Sequence, residues 1–340
     1  MHLALAVLLA GAATPVFCSG DSLATKTGVV PPSASPFRRI ATIPLPGARG
    51  RIDHMAADTK GLRLFVAELA TNAVDVIDLK KGIRSRTLTS GLNEPQGVVY
   101  EPRSNRLFVA NGGDGTVRVF DGSSFEPVGS LEYSGDADNL RYDSSTQTVF
   151  VGYGNGAIGA FSASGLKKLR EVSIPGHPES FEVEQAGKRI FVNVPSARTI
   201  AVIDREKGKV VSQWELSAAR NFPLALDEAN HRLFVGFRSP SRMVVYDTDS
   251  GTQVASLDIA NDVDDIFYDA GARRIFLSCG EGYLEIVSQT DADNYRSLSR
   301  VPTEPGARTS LFTPALGRLY LAVPRHQGQD AEIRVYATSR

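Results

Sequence analysis

The sequence predicts an all-β fold, a seven-bladed β-propeller of four-stranded antiparallel blades, because one short phrase returns seven times. Each phrase runs basic or polar, aliphatic, aromatic, aliphatic, as in Arg106-Leu107-Phe108-Val109. The aromatic members are Phe65, Phe108, Phe150, Phe191, Phe234, Phe276 and Tyr320. They are 41 to 44 residues apart, and a fixed period in this range is typical of repeat architectures. No stretch has sustained helical periodicity.

The second repeat shows the four strands of one unit. Apolar or alternating segments at 95–100, 106–110, 116–120 and 126–133 are separated by turns, one of them the glycine-rich segment 111–115. Such a sheet has two apolar faces, which radial stacking of the blades buries. A solenoid is the alternative, but it would need polar end caps, and none is evident.

The two ends of the repeat region predict that the ring closes. The last unit, 307–338, supplies three strands, whereas a lone strand at 39–45 precedes the first complete unit. We expect this N-terminal strand to become the outer strand of the last blade. The predicted organisation is a signal peptide at 1–20, a flexible leader at 21–37 and the propeller at 38–340.

The N-terminal segment predicts export to the periplasm or secretion. Residues 3–16 are apolar but too few to span a bilayer, and small Cys18 and Gly20 stand at −3 and −1 of a possible cleavage site. The segment before them has no Lys or Arg, so an unprocessed N-terminus is the alternative. A net charge of −1 gives no reason to expect nucleic acid or an anionic membrane as partner. We expect a monomer without a membrane span.

Several phrases resemble the YVTN-type propeller repeats of exported bacterial proteins. They are Pro95-Gln96-Gly97-Val98, Arg106-Leu107-Phe108-Val109-Ala110-Asn111, and the strand ends Val76-Ile77-Asp78, Val202-Ile203-Asp204 and Val245-Tyr246-Asp247. The resemblance covers about 38–338 and implies a WD-repeat-like propeller, although the Trp-Asp signature itself is absent. Members of the wider superfamily include lactonases, electron-transfer subunits and surface-layer proteins, so the resemblance implies no single activity.

Counting back 12 positions from each repeat aromatic gives a column expected near the channel mouth. This first column is Asp53, Gln96, Asp138, Glu179, Phe222, Asp264 and Arg308. The next position gives a second column, His54, Gly97, Asn139, Ser180, Pro223, Asp265 and Thr309. Four carboxylates in the first column would repel one another unless water, a raised pKa or a cation relieves them.

The first column supports three interpretations. Asp53, Asp138, Glu179 and Asp264 could ligate Ca²⁺ or Mg²⁺, which prefer oxygen donors. Together with Gln96 and Arg308 they could instead bind a cationic or polyhydroxy ligand. A hydrated rim whose polar residues face water is the third interpretation.

A catalytic interpretation uses blades six, seven and one. His54, Asp264, Arg308 and His326 would act there in a lactonase- or lyase-like reaction, with histidine as acid or base and arginine holding an oxyanion. The alternative is that His54 packs between blades and His326 lies on a flexible loop. The leading hypothesis is a binding module for a small ligand or envelope protein. A non-catalytic subunit of a redox or envelope complex is a third possibility.

Two further sets are predicted to be structural. Cys279 ends a strand, and nothing in the sequence lowers its pKa. The arginines of the repeat phrase are expected to pair with carboxylates at the ends of the inner strands, which are Asp58, Glu101, Asp143, Glu184, Asp227 and Asp269.

Overall fold

The computed structural model describes Met1 and residues 37–338, in which seven four-stranded antiparallel sheets are the seven blades. β1 (Phe37–Leu45) comes first, followed by blade 1, β2 (Ile52–Asp58), β3 (Arg63–Glu68), β4 (Ala73–Asp78) and β5 (Ile83–Leu88). Blade 2 is β6 (Pro95–Glu101), β7 (Arg106–Asn111), β8 (Thr116–Asp121) and β9 (Pro127–Glu132). Blade 3 is β10 (Ala137–Asp143), β11 (Thr148–Tyr153), β12 (Ala157–Ser162) and β13 (Lys168–Ser173).

The remaining blades repeat this pattern. Blade 4 is β14 (Ser180–Val183), β15 (Arg189–Val194), β16 (Thr199–Asp204) and β17 (Lys209–Glu215). Blade 5 is β18 (Ala219–Asp227), β19 (Arg232–Ser239), β20 (Ser241–Asp247) and β21 (Gln253–Asp258). Blade 6 is β22 (Val263–Asp269), β23 (Arg274–Cys279), β24 (Tyr283–Gln289) and β25 (Tyr295–Pro302). Blade 7 contains β26 (Ser310–Thr313), β27 (Arg318–Val323) and β28 (Ala331–Thr338), and single 3-10 turns occur at Leu69–Thr71, Glu228–Asn230 and Pro314–Leu316.

The repeat aromatics form the core between neighbouring blades. They lie on the second strand of each blade and are between 0% and 6% exposed. The ring of Phe65 lies 5.6 Å from that of Tyr100 in blade 2, and the ring of Phe276 lies 5.0 Å from that of Phe312 in blade 7. Burying rings between blades is the main reason that sheets of this sequence stack radially.

The predicted closure of the ring is confirmed. The sheet of blade 7 has the order β1-β28-β27-β26, and β1 pairs with β28 from Phe37↔Thr338 to Leu45↔Ala331. Ile43 and Leu45 are buried in one cluster with side chains of β28 and of blade 1. One sheet therefore combines the strand that begins the ring with the strand that ends it.

The inner strands carry an irregularity at one place. In blades 1, 2, 3, 5 and 6 the register with the second strand shifts, as between Ile52 and Met55 or between Ala137 and Leu140. The two sequence columns fall at these shifts. A β-bulge bends the strand and redirects its side chains, and in these five blades the bulge lies at the column positions.

The predicted arginine–carboxylate pairs are correct in two blades and wrong in others. Arg63 binds Asp58 and Arg189 binds Glu184. Arg106 instead donates to the carbonyls of Ala163 and Ser164 in the next blade, because the N–H groups of Arg103 and Ser104 occupy Glu101.

Blade 5 departs in the same way. Arg232 pairs with Asp247 and Asp293, whereas Asp227 accepts hydrogen bonds from Asn230 and Gln289.

Cys279 is fully buried, and burial raises the pKa of its thiol, so the thiol is held in its unreactive protonated form.

Candidate functional site

Most of the first column converges on one cavity at the channel mouth. Asp53, Asp138, Glu179, Phe222 and Asp264 line it, from blades 1, 3, 4, 5 and 6. Gln96 lies beside it and donates to Asp136 at 3.2 Å. The cavity has a volume of about 50 Å³, far below the 300–1,000 Å³ typical of sites for drug-sized ligands.

One side of the mouth is acidic and buried. Asp53 is 2% exposed and pairs with Arg51, whose Nη2 lies 3.0 Å from Oδ2 of Asp53. Asp138 is 6% exposed, and its Oδ1 is buried without a hydrogen-bond donor among the described residues. A buried carboxylate oxygen without a donor is costly, so a bound donor at this point would be stabilised.

Burial and mutual repulsion shift the acidity of these groups. Burial raises the pKa of Asp53 to about 6, and repulsion from Asp264 adds to this. Burial raises the pKa of Glu179 to about 7, together with repulsion from Asp138. Burial also raises the pKa of Asp138. Near neutral pH Glu179 is therefore partly protonated, whereas an ordinary carboxyl has lost its proton.

The other side of the mouth is a network of alternating charges. Arg238 is almost buried and binds both Asp264 and Asp262. Arg308 binds the same two carboxylates, with Nη1 2.8 Å from Asp262 and Nε 3.1 Å from Asp264. Nη1 and Nε of Arg308 are thus already paired with carboxylates.

Asn139 determines which ring nitrogen of His54 carries the proton. The Arg141 guanidinium donates to Oδ1 of Asn139, and Nδ2 of Asn139 donates to the carbonyl of Glu179 at 3.1 Å. The amide orientation is therefore set, and Nδ2 must also be the donor to Nε2 of His54, 3.1 Å away. Burial lowers the pKa of His54, so the ring is neutral with its proton on Nδ1.

His177, in contrast to His54, carries a positive charge. Its Nδ1 donates to the carbonyl of Gly154 at 2.7 Å, and its Nε2 lies 3.6 Å from Asp138. Burial alone would lower its pKa, but the nearby charge of Asp138 and the hydrogen bond to Gly154 raise the pKa of His177 to about 9. His177 is thus a fixed cation beside Asp138 at neutral pH.

The second column links neighbouring inner strands. Asn139 donates to Glu179 of the next blade, Ser180 to the carbonyl of Phe222 at 2.5 Å, and Thr309 to the carbonyl of Ile52 at 3.0 Å. Asp265 accepts the backbone N–H of Ser310 at 2.6 Å. These positions hold the ring together from inside the channel, a structural role that the sequence columns alone did not indicate.

The residues of the catalytic interpretation are not all brought together. His54 and Asp264 line the mouth, and Arg308 binds Asp264. His326 lies apart, with Nε2 3.7 Å from Glu304 and Nδ1 3.1 Å from the carbonyl of Pro324, and is not among the residues lining the mouth. Within residues 37–338, no group of three His, Cys, Asp or Glu side chains is arranged to hold a metal ion.

Sequence reasoning missed the cations that offset the acidic column. Arg51, Arg141 and Arg238 stand outside both columns, and Arg141 of blade 3 pairs with Glu182 of blade 4 at 3.2 Å. A signal for that pair existed. Arg141 and Glu182 both lie 9 positions before their repeat aromatics, in a column that is otherwise apolar.

Comparisons with known proteins support a propeller repeat protein. No protein-family model matches the chain. An uncharacterized protein YncE of Salmonella typhimurium is 20% identical over 231 residues, 63% of this chain and 65% of that protein, so the chain spans just under two thirds of this relative. An uncharacterized WD repeat-containing protein, sll1491 of Synechocystis, is 32% identical over 99 residues, 28% of this chain and 26% of that protein.

Solved structures agree on the fold. A chain of a mitotic checkpoint complex has a TM-score of 0.76 at 13% identity, covering 99% of this chain and 100% of its own. A chain of Kuenenia stuttgartiensis hydrazine synthase has a TM-score of 0.69 at 15% identity, covering 81% and 94%. At such identities the likeness is one of fold. Among the residues described, no helix has the length and hydropathy needed to traverse a bilayer.

Proposed function

We propose that this propeller is a binding module that receives a cationic group at its channel mouth. The propeller fold is in general that of a binding or scaffold module. One observation carries the finer proposal: Oδ1 of buried Asp138 lines the mouth without a hydrogen-bond donor. An ammonium or guanidinium group would supply donors there and would also favour the ionised forms of Asp53 and Glu179.

The size of the mouth narrows the kind of ligand. A cavity of about 50 Å³ admits the end of one side chain or a small amine, not a larger organic molecule. The ligand we propose is therefore a protein partner that inserts a Lys or Arg side chain. Ca²⁺ or Mg²⁺ is the inorganic alternative, and a titration of chelator-treated protein with either ion tests it by the melting temperature.

The experiment uses Nα-acetyl-lysine amide as the probe. The backbone amide signals of Asp138, Asn139 and Glu179 are followed by NMR. We expect saturable shifts, which vanish with Nα-acetyl-norleucine amide because it has no charge. Asp138→Asn should weaken probe binding about tenfold, whereas Asp258→Asn, at a side chain 89% exposed, should not. Equal binding of the charged and uncharged probes would refute the proposal.

We further propose a periplasmic or secreted, monomeric protein that does not bind nucleic acid. The apolar segment at 3–16 and the resemblance to YVTN-type repeats support export, and the acidic mouth and net charge of −1 argue against a polyanionic partner. Residues 2–36, which include nearly all of the predicted signal peptide and leader, lie outside the described ones, whereas Phe37, the last residue of the predicted leader, belongs to β1. Expression of the full chain in a Gram-negative host should give a periplasmic protein whose N-terminus begins after Gly20.

An enzyme of lactonase or lyase kind is the second candidate, and one observation favours it. The pKa of Glu179 is raised to about 7, which suits a general acid or base at neutral pH. Turnover of a lactone panel that is abolished by Glu179→Gln would establish this activity. Absence of turnover in the wild-type protein would leave the binding function.

A further inference from the structure

A second cavity, independent of the mouth, lies between blades 3 and 4 at the other end of β14 from Glu179. Its volume is about 530 Å³, within the range of small-molecule sites. Phe150, Ile158, Ile190 and Ile203 form an apolar floor and are at most 6% exposed. Exposed residues, including Leu169, line its edge.

The gap lies beside a turn of blade 4 that lacks the large apolar side chain found at the same position in blades 2 and 3. The turn between the third and fourth strands has an equivalent position whose N–H donates to the end of the third strand, occupied in blades 2 to 5 by Phe125, Leu166, Gly208 and Gly251. Phe125 packs on the repeat aromatic of blade 1, and Leu166 joins the cluster around that of blade 2.

Glycine occupies this position in blades 1, 4 and 5, as Gly82, Gly208 and Gly251, and at Gly251 a ring from the preceding blade lies against the turn. Trp214 of blade 4 reaches the turn of Gly251 and stacks on Tyr246, 6.2 Å away. At Gly208 the neighbour is the flexible side chain of Arg170. Among the seven repeat aromatics Phe150 is accordingly the most exposed.

The charges at the edge of this cavity are unequal. Four charged residues line it, and three of them are basic: Arg170, Lys188, Arg205 and Glu206. Arg205 is matched by buried Asp143 at 2.7 Å. Lys188 and Glu206 form an exposed pair, which contributes little to stability.

Arg170 is left as the surplus cation. It donates only to the carbonyls of Arg205 and Glu206, and no carboxylate in residues 37–338 lies within ion-pair distance of it. An apolar floor beside one uncompensated guanidinium is complementary to a ligand with an apolar body and a single anionic end.

We propose that the cavity between blades 3 and 4 binds an amphipathic carboxylate of the medium-chain fatty acid class. The acyl chain lies against Phe150, Ile190 and Ile203, and burial of its methylene groups is the main driving force. The carboxylate binds Arg170, and Lys188 lies at the same edge of the cavity.

The test is isothermal titration calorimetry of the full chain with decanoate as the probe. We expect saturable binding of decanoate and none of decyltrimethylammonium or of acetate, which lack the anionic end and the chain respectively. Ala160→Phe places a ring in the cavity and should abolish binding. Arg170→Gln, at an exposed position, should weaken binding about tenfold, equivalent to about 1.4 kcal/mol.

Arg296→Gln is the matched control, because Arg296 is also exposed on the outer strand of a blade. It should bind decanoate as the wild type does. The proposal is overturned if decanoate shows no saturable binding, or if the cationic amphiphile binds equally well. It is also overturned if both Ala160→Phe and Arg170→Gln retain wild-type affinity.

Discussion

At the scale of single residues, Asn139 of blade 3 forms hydrogen bonds to both blade 1 and blade 4. Its amide holds His54 of blade 1 and the backbone of blade 4 at once, and its orientation depends on Arg141. The Arg141 guanidinium can only donate and the Glu179 carbonyl can only accept, so one orientation of the amide satisfies both. The mouth is thus pre-organised, which favours binding because little ordering is required.

The first prediction concerns the tautomer of His54. At pH 7 we expect a neutral ring with the proton on Nδ1, since Nε2 accepts from Asn139. A long-range ¹⁵N–¹H correlation spectrum measures this directly, with exposed His231 as the internal reference. A proton found on Nε2 would contradict the hydrogen-bond assignment around Asn139.

The second prediction concerns the stability of the protein against pH. The native state raises the pKa of Glu179 to about 7 from about 4.5, so the native state holds this proton after the unfolded chain has lost it. Stability contributed in this way is present at low pH and is lost as pH rises from about 4.5 to about 7. Glu179→Gln removes that part of the decline.

Urea denaturation at several pH values measures the effect. The free energy of unfolding of Glu179→Gln should fall less between pH 4.5 and 7 than that of the wild type. Glu215→Gln, at an exposed position, serves as the control and should keep the wild-type decline. Identical slopes for all three proteins would mean that Glu179 titrates as an ordinary carboxyl.

The acidic column could be predicted from the sequence because the repeat keeps a constant count from aromatic to mouth. Asp53, Asp138, Glu179 and Asp264 do line one cavity. The constant count does not show which side chains from other positions point toward this column. The flexible side chains of Arg51 and Arg238 reach the column from other positions, and long arginine side chains are not located by the strand period.

At the scale of elements, the bulged inner strands approach one another closely. At Gly97 of β6 a Cβ atom would lie 2.0 Å from the carbonyl oxygen of Asp138 in β10, which is backbone and cannot move aside. Glycine is therefore required at this point by contact between blades rather than by a turn.

The third prediction follows from this contact. Gly97→Ala should destabilise the protein by about 1–3 kcal/mol or more, since a strand must shift to admit the methyl group. Gly165→Ala is the control, because the nearest atom to its Cβ would be 3.5 Å away and its turn is exposed. Thermal unfolding of both variants measures the difference, and equal melting temperatures would show that the inner strands move apart easily.

Turns between elements explain which arginine partners could be predicted. Asp58 meets Arg63 because the intervening turn brings them together, and the same holds for Glu184 and Arg189. In blade 2 the turn N–H groups occupy both oxygens of Glu101, whereas in blade 1 they occupy only Oδ1 of Asp58 and leave Oδ2 for Arg63. The sequence repeat predicts the strands and their order, whereas competition among nearby hydrogen-bond donors determines which arginine pairs with which carboxylate.

At the scale of the whole molecule, closure depends on few contacts of great sequence separation. Leu45 of β1 is 0% exposed and packs with Ile333 and Val335 of β28. The sequence predicted this pairing because the last unit is one strand short and a strand of matching character precedes the first. Nothing in a single repeat contains that information.

The fourth prediction tests the closure. Leu45→Ala should cost about 2–5 kcal/mol, because it leaves a cavity where the first and last strands meet. Ile40→Ala, on the same strand but 37% exposed, should change stability by no more than about 0.5 kcal/mol. Chemical denaturation compares the two variants. A small loss for Leu45→Ala would indicate that the seam contributes little to the cooperativity of the ring.

The pairing of Phe37 with Thr338 has a consequence for how the chain is made. The strand that is synthesised earliest finds its partner only after the ribosome has finished the latest one. Until then both remain open edges, which are prone to join other chains. The ring therefore cannot close until β28 has been synthesised.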